Sequence, residues 1–536
     1  MPFNWDCCIV MKSRMHMLLV VLGLACCRSP NAGEDVICVR DSGSNAAGGA
    51  PVVHPSLIAG PTLRPPPTGT YLAQWFSVAT DVPTSLTLHL VDEKTAIERE
   101  IEFSEFEYEH EVPVLQLRGQ AMYHVYATLC DSHGSSIRTP SLGFSVDAPD
   151  ELPEIEVVAA DPSRMEPGIT LFPLTVLGEQ GWLAAVDEDG EYVFAQRAPP
   201  GTLALTRLPD GNLALNEGTS VAIRQVMGRT IHRWTPTPSS AEDLPVPFPR
   251  LHHEMLPQPD GSVFTLAYRD REVPDYPESY DDLTSGVSTV IQEDIVVHLG
   301  ADGSVLATFY LGDMLDTTRI GFDSLEPGSS GRADWSHANA VQYDSTADTV
   351  TVSLRHQDAI VNFEYSTGDI RWIISPEGGW RPDLASRRLR QDEPFVWPVH
   401  SHGVEVDGDI VRVFDNGNNS RNTPYYTSGQ NGADYSRLLE LRIDEARGTV
   451  SFEREFVYTT TGAYFSPVLG NADHLNTTGN RLATWGAIPR VVEFTEDGEV
   501  VYEFVARPWG WKSDRATRIP SLYGDDVVIR HKMANE

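Results

Sequence analysis

The sequence predicts an all-β protein, a six-bladed β-propeller preceded by a small N-terminal β-sandwich, and three observations carry that prediction. One hairpin pattern, an alternating strand, a polar turn with glycine and a second strand, appears six times, with turn glycines Gly190, Gly228, Gly303, Gly368, Gly448 and Gly498. A second class falls between successive members of the first, turning at Gly211, Gly261, around Asp344, at Gly408 and at Gly479. No long amphipathic helix competes; ASRRLRQD at 385–392 is at most a short loop helix. Glycine turns flanked by alternating apolar residues are hairpin signals, and two hairpins per unit make the four-stranded blade of a propeller. A closed ring needs a sixth inner hairpin, and two segments are candidates to complete it: GITLFPLTV at 168–176 and YGDDVVIRH at 523–531.

Taken in order, residues 11–27, MKSRMHMLLVVLGLACC, place Lys12 and Arg14 before an apolar run too short to span a bilayer. Residues 1–27 therefore read as an export leader. Cys26 and Cys27 after the run leave two readings open, a lipoprotein signal and simple cleavage. Both put the mature chain in the periplasm or cell envelope, or secrete it. Residues 28–66, rich in Gly, Pro, Ser and Ala, are expected to be a disordered tether. Residues 67–148 carry short alternating strands and resemble a fibronectin type III sandwich. Residues 149–168 read as a linker, and 169–536 as the propeller. Outside the leader segment only Cys38 and Cys130 are left, and an oxidising compartment allows them to pair; two free thiols is the competing reading.

The chain of 536 residues has 76 acidic against 40 basic residues, a net charge of -36. Nucleic acid and an anionic membrane surface both need clustered Lys and Arg, so neither is expected as a partner; membrane contact would come only through a lipid anchor. An anionic small molecule would need a local Arg or His cluster working against the global field.

Such a cluster is visible. His253, His337 and His400 each stand seven residues before a turn aspartate, Asp260, Asp344 and Asp407. Matched positions in a repeat become neighbours around a propeller axis, so three imidazoles are expected to converge. Asn471, eight residues before Gly479, holds a similar place in the last inner hairpin and is expected to add a polar wall. Arg355 and His356 are expected on the strand after the second histidine in SLRHQDAIVNFEYSTGDIRW, an otherwise apolar context where an arginine either pairs with an acid or faces a cavity that holds an anion. Asn416 follows in VFDNGNNSR.

The ordered set DWSHANAV, SLRHQDAIVNFEYSTGDIRWII and His400 followed by VFDNGNNSR resembles the bacterial arylsulfate sulfotransferases that use no nucleotide sulfate donor. The resemblance covers about residues 165–525. It implies transfer of a sulfuryl group from an aryl sulfate donor to a phenolic acceptor through a sulfohistidine, with neither cofactor nor metal. It makes His400 the nucleophile, His253 and His337 supporting histidines, and Asn339 and Arg355 further active-site groups. His402 is a rival for His400 and His252 for His253; spacing to the turn aspartate favours the first of each pair. Asn471 and Asn416 are expected substrate contacts. The family's disulfide loop before the nucleophile has no counterpart here. The N-terminal module is expected to orient or pair subunits, as in a homodimer.

Two other classes stay open. His253, His337 and His400 could instead hold a metal for a lyase or hydrolase. The pocket could also bind a ligand without turning it over. A quinone-dependent propeller dehydrogenase fits less well, because the 11 tryptophans form no regular docking repeat.

Overall fold

A computed structural model describes residues 54–176, 178–418, 435–458 and 464–533. The leader, most of the expected tether, Cys38 and most of residues 422–436 lie outside the described residues.

Six blades form a propeller, each running outward from an inner strand. In chain order the inner strands of blades 2 to 6 are Leu205–Arg207, Leu251–Pro257, Ala338–Asp344, His402–Asp407 and Asn471–His474. The six outer and five inner turns read from the sequence are all hairpins of these blades. Blade 4 shows what a turn without glycine requires: in the inner hairpin, Asp348 takes the left-handed conformation at φ 54°. Asp tolerates that region better than most side chains.

The ring closes twice. Blade 1 takes its inner strand, Thr517–Ile519, from near the C-terminus, pairing with Ile169–Leu174 of GITLFPLTV. Blade 6 takes a fifth, outermost strand, Glu154–Ala160, from the segment expected to be a linker. The other closing candidate, YGDDVVIRH, does something different. Its strand Val528–Met533 pairs with Ile97–Val114 in the N-terminal sheet, where Lys532 reaches Glu100 at 2.7 Å.

That N-terminal module is one continuous seven-stranded sheet, not the two separately hydrogen-bonded sheets expected of a sandwich. The 19-residue strand Gln74–Asp92 serves both halves: its start pairs with Leu57–Arg64 and its end with Met122–Asp131, with a register break between Ala79 and Thr84. Strand Leu57–Arg64 lies in the stretch expected to be tether. Phe76, Leu88 and Val125 of the sheet share one buried core with Leu171 and Trp182 of blade 1 and Tyr502 of blade 6. Cys130 is disulfide-bonded.

Candidate active site

The inner strands of blades 3, 4 and 5 share a local distortion at the positions the spacing matched. His253, His337 and His400 have φ of 55°, 47° and 52°, and register shifts follow at His252/Met255, Ala338/Ala340 and His402/Glu405. A left-handed non-glycine residue costs about 1–3 kcal/mol, and such strain concentrates where function over-determines the backbone. Three at matched positions re-aim three imidazoles toward the axis.

Those rings form a row. The His253 and His337 centroids lie 5.3 Å apart, His337 stacks on His356 at 4.6 Å, and His356 stands 6.0 Å from His400. A cavity of about 300 Å³ opens beside the first half of the row, lined by Arg250, His252, His253, Asp294, Asp334 and His337 among others. Asn471 departs from its expected match: in blade 6 the left-handed residue is Leu469 at φ 60°, and Asn471 donates Nδ2 to Asp473 at 2.6 Å instead of joining the row.

The two histidines of the HSH stretch are bonded differently. His400 donates Nε2–H to the Phe322 carbonyl at 3.1 Å, and its Nδ1 is buried with no hydrogen-bond partner among the described residues. His402 donates Nδ1–H to Asn416 Oδ1 at 2.7 Å and receives the Leu469 N–H at Nε2, 3.4 Å away. Asn416 is fixed in turn by donating to the Ser466 and Leu469 carbonyls. It therefore orients His402. Burial holds both rings below the ordinary histidine pKa, His402 well below it, so both are neutral near pH 7.

Arg355 and His356 lie on a 3-10 turn, Arg355–Gln357, and not on the expected strand. His356 donates Nδ1–H to the Asp334 carbonyl at 2.6 Å, so its Nε2 accepts from Arg355 Nη1, also at 2.6 Å. The same Nη1 is 3.3 Å from Asp323 Oδ2. Of the two sequence readings of Arg355, pairing with an acid is the one its contacts show, and through His356 it adjoins the row. Asn339 donates Nδ2 to the Ser401 carbonyl at 2.8 Å, next to His400, and its Oδ1 is buried with no partner among the described residues.

At the other end His252 and His253 meet Nδ1 to Nδ1 at 2.9 Å. His252 Nε2 stands 3.3 Å from Asp294 Oδ1, an ion-pair distance without hydrogen-bond alignment. Burial, then the neighbouring His252 and His337, hold the His253 pKa well below the ordinary value. His337 donates Nδ1–H to Asp334 Oδ2 at 2.6 Å, which fixes the ring through that nitrogen. The ligand atoms that lie close enough for a metal at this site are those of Asp334, His337 and His356, not the trio His253, His337 and His400. Arg355 already occupies His356 Nε2.

Asp323, Phe322, Asp334, Asp358 and Asp294 went unassigned in the sequence. Asp334 was the most findable, three residues before His337 inside DWSHANAV. Phe322 acts through its carbonyl, and Asp358 Oδ1 accepts the His400 backbone N–H at 2.9 Å, contacts that side-chain chemistry does not announce.

The fold and this row define a propeller with an imidazole-lined axial site. The arylsulfotransferase (ASST) family matches residues 154–505, and the chain belongs to that family. The arylsulfate sulfotransferase AssT of Escherichia coli O6:H1 is 23% identical over 274 residues, 42% of this chain and 43% of that protein. The AssT of Lelliottia amnigena is 29% identical over 161 residues, 26% of each chain. The aligned part thus spans less than half the length of either relative. Among solved structures, a Bacteroides caccae protein of unknown function matches with TM-score 0.38 at 10% identity, covering 65% of this chain and 98% of that one.

Proposed function

We propose that this protein moves a sulfuryl group from an aryl sulfate ester to a phenol, with His400 Nδ1 as the nucleophile. The observation that carries the reading is the state of the His400 ring: neutral, anchored through Nε2–H, with an unshared lone pair on a buried Nδ1. A neutral imidazole with one nitrogen fixed and the other free is an activated nucleophile, whereas His402 has both nitrogens engaged.

In the first half, Nδ1 bonds to sulfur as the sulfur–aryloxy bond breaks and the electron pair leaves on the phenolate oxygen. The Phe322 carbonyl faces Nε2–H and stabilises the charge that develops on the ring. A His337 ring carrying a proton on each nitrogen, with Nδ1–H held by Asp334, gives the phenolate the proton on Nε2. It takes one back from the acceptor phenol in the second half, when the acceptor oxygen attacks sulfur and His400 regains its lone pair. His253 suits this shuttle poorly because its surroundings keep it neutral. Arg355 and the second Nδ2–H of Asn339 stabilise the sulfuryl oxygens, a service worth about a hundredfold to a thousandfold per donor. The chain is exported to the envelope and pairs as a homodimer; cell fractionation and light scattering test these two points.

The decisive experiment is intact mass after mixing purified protein with 4-nitrophenyl sulfate and no acceptor, followed by mapping. A gain of about 80 Da, the mass of a covalent sulfuryl group, is expected on His400 and should disappear when phenol is added. An adduct on His402 would reassign the nucleophile. The absence of both an adduct and released nitrophenol would overturn the reading.

A further inference from the structure

We propose that the histidine cavity contains an anion subsite built on Arg250, and that the preferred aromatic substrates carry a second anion, a carboxylate or another sulfate ester, remote from the reacting oxygen. The substrate class rests on the sulfuryl-transfer reading above. Arg250 stands immediately before the inner strand Leu251–Pro257 and lines the cavity of about 300 Å³ with His253 and His337. Its Nε is buried without a hydrogen-bond partner, and no carboxylate pairs with its guanidinium among the described residues. Other half-buried or buried arginines around the axis face an acid: Arg355 has Asp323, Arg437 has Asp415 and Arg515 has Glu254.

The two carboxylates of the same cavity do not supply that partner. Asp334 gives Oδ2 to His337 and Oδ1 to Gln292 Nε2 at 3.4 Å. Asp294 Oδ2 accepts from Ser336 Oγ and the Ala338 N–H at 2.6 and 2.7 Å, and Oδ1 faces His252. An unpaired guanidinium beside a cavity is a planar fork of donors matched to a carboxylate or sulfate. In a chain of net charge -36 it is also a local exception to the field an anionic substrate meets. With Arg355 toward the His400 end of the row and Arg250 at the His253 end, the site has a cation at each end. That arrangement suits an aromatic ring bearing a sulfuryl group on one side and a second anion on the other.

The test compares 4-hydroxybenzoate with 4-hydroxybenzamide, near-isosteric phenols that differ in charge. Acceptor kcat/KM is measured with 4-nitrophenyl sulfate as donor, and Kd for each phenol is measured by calorimetry without donor. In the wild-type protein the benzoate should be preferred by about tenfold to a hundredfold on both scales, as a charge-assisted hydrogen bond provides. Arg250→Gln should bring the ratio near one, and Arg250→Lys should keep part of it. A wild-type ratio at or below one, or a ratio that survives Arg250→Gln, overturns the subsite. Arg250-dependent binding of the benzoate in a protein that transfers no sulfuryl group would sustain the subsite and sink the sulfotransferase reading; transfer without the preference would do the reverse.

Discussion

At the residue scale the question is why one of several clustered histidines should react, and bonding answers it better than position. His400 and His402 are both buried and neutral, and the bonding of their nitrogens decides which can attack. His400→Ala should lower transfer by at least about a thousandfold while shifting the thermal transition by only a few degrees, because the ring makes one hydrogen bond, to Phe322. A large drop in Tm would mark His400 as structural. The pKa directions give a second expectation. His402 is held well below its ordinary value in the fold, so the unfolded chain binds its proton more readily, and stability falls as pH drops below about 6.5, the unfolded value. Above that pH the ring is neutral in both states and contributes no pH dependence. Asp473 acts in the opposite sense: burial and then Glu405 push its carboxyl up to about 7, so its contribution falls as pH rises through the acid range. The histidine effect is therefore isolated by difference: the Tm advantage of wild type over His402→Gln should shrink between pH 7 and pH 5, and a constant advantage would refute the assignment.

At the element scale, the hairpins were legible because each turn announces itself locally, with glycine or, in blade 4, a polar Asp-rich turn between alternating strands. Elements whose partners lie far along the chain were not. Thr517–Ile519 is three residues long, too short for any periodicity to show, and Glu154–Ala160 looked like linker because it pairs only across the ring. The site divided along the same line: matched spacing found three histidines, whereas the loop Asp316–Glu326, which brings Phe322 and Asp323 to the site, carries no repeat signal. That loop is held from outside by the extended blade 3 hairpin. Tyr280 stacks on Phe322 with centroids 5.6 Å apart, and its hydroxyl accepts the Leu325 N–H at 3.2 Å. The 271–286 insertion so serves as a brace for that loop. If Asp323 positions Arg355 for the sulfuryl group, Asp323→Asn should reduce kcat by about tenfold to a hundredfold with a smaller change in KM. A change confined to KM would show that Arg355 binds ground state and transition state alike.

At the scale of the whole molecule, the ends of the propeller segment hold one another. Thr517–Ile519 becomes the innermost strand of blade 1, Glu154–Ala160 the outermost strand of blade 6, and Val528–Met533 then ties the chain to the N-terminal sheet. The first of these completes a ring, and the last adds an edge strand to a sheet that already has its core. Deleting 527–536 should therefore lower Tm by several degrees and leave transfer activity intact. Deleting 516–536 also removes the inner strand of blade 1 and so opens the ring, and should cost stability comparable to the whole folding free energy, about 5–15 kcal/mol, giving little soluble protein. Gly168 offers a finer probe of the same junction. It lies at φ 116° with the Ile519 carbonyl where a Cβ would stand, so Gly168→Ala strains the backbone and pushes the closing strand away at once. Calorimetry should place Gly168→Ala below the 527–536 deletion in stability. If the order is reversed, the N-terminal sheet and not the inner strand of blade 1 is what keeps the ring shut.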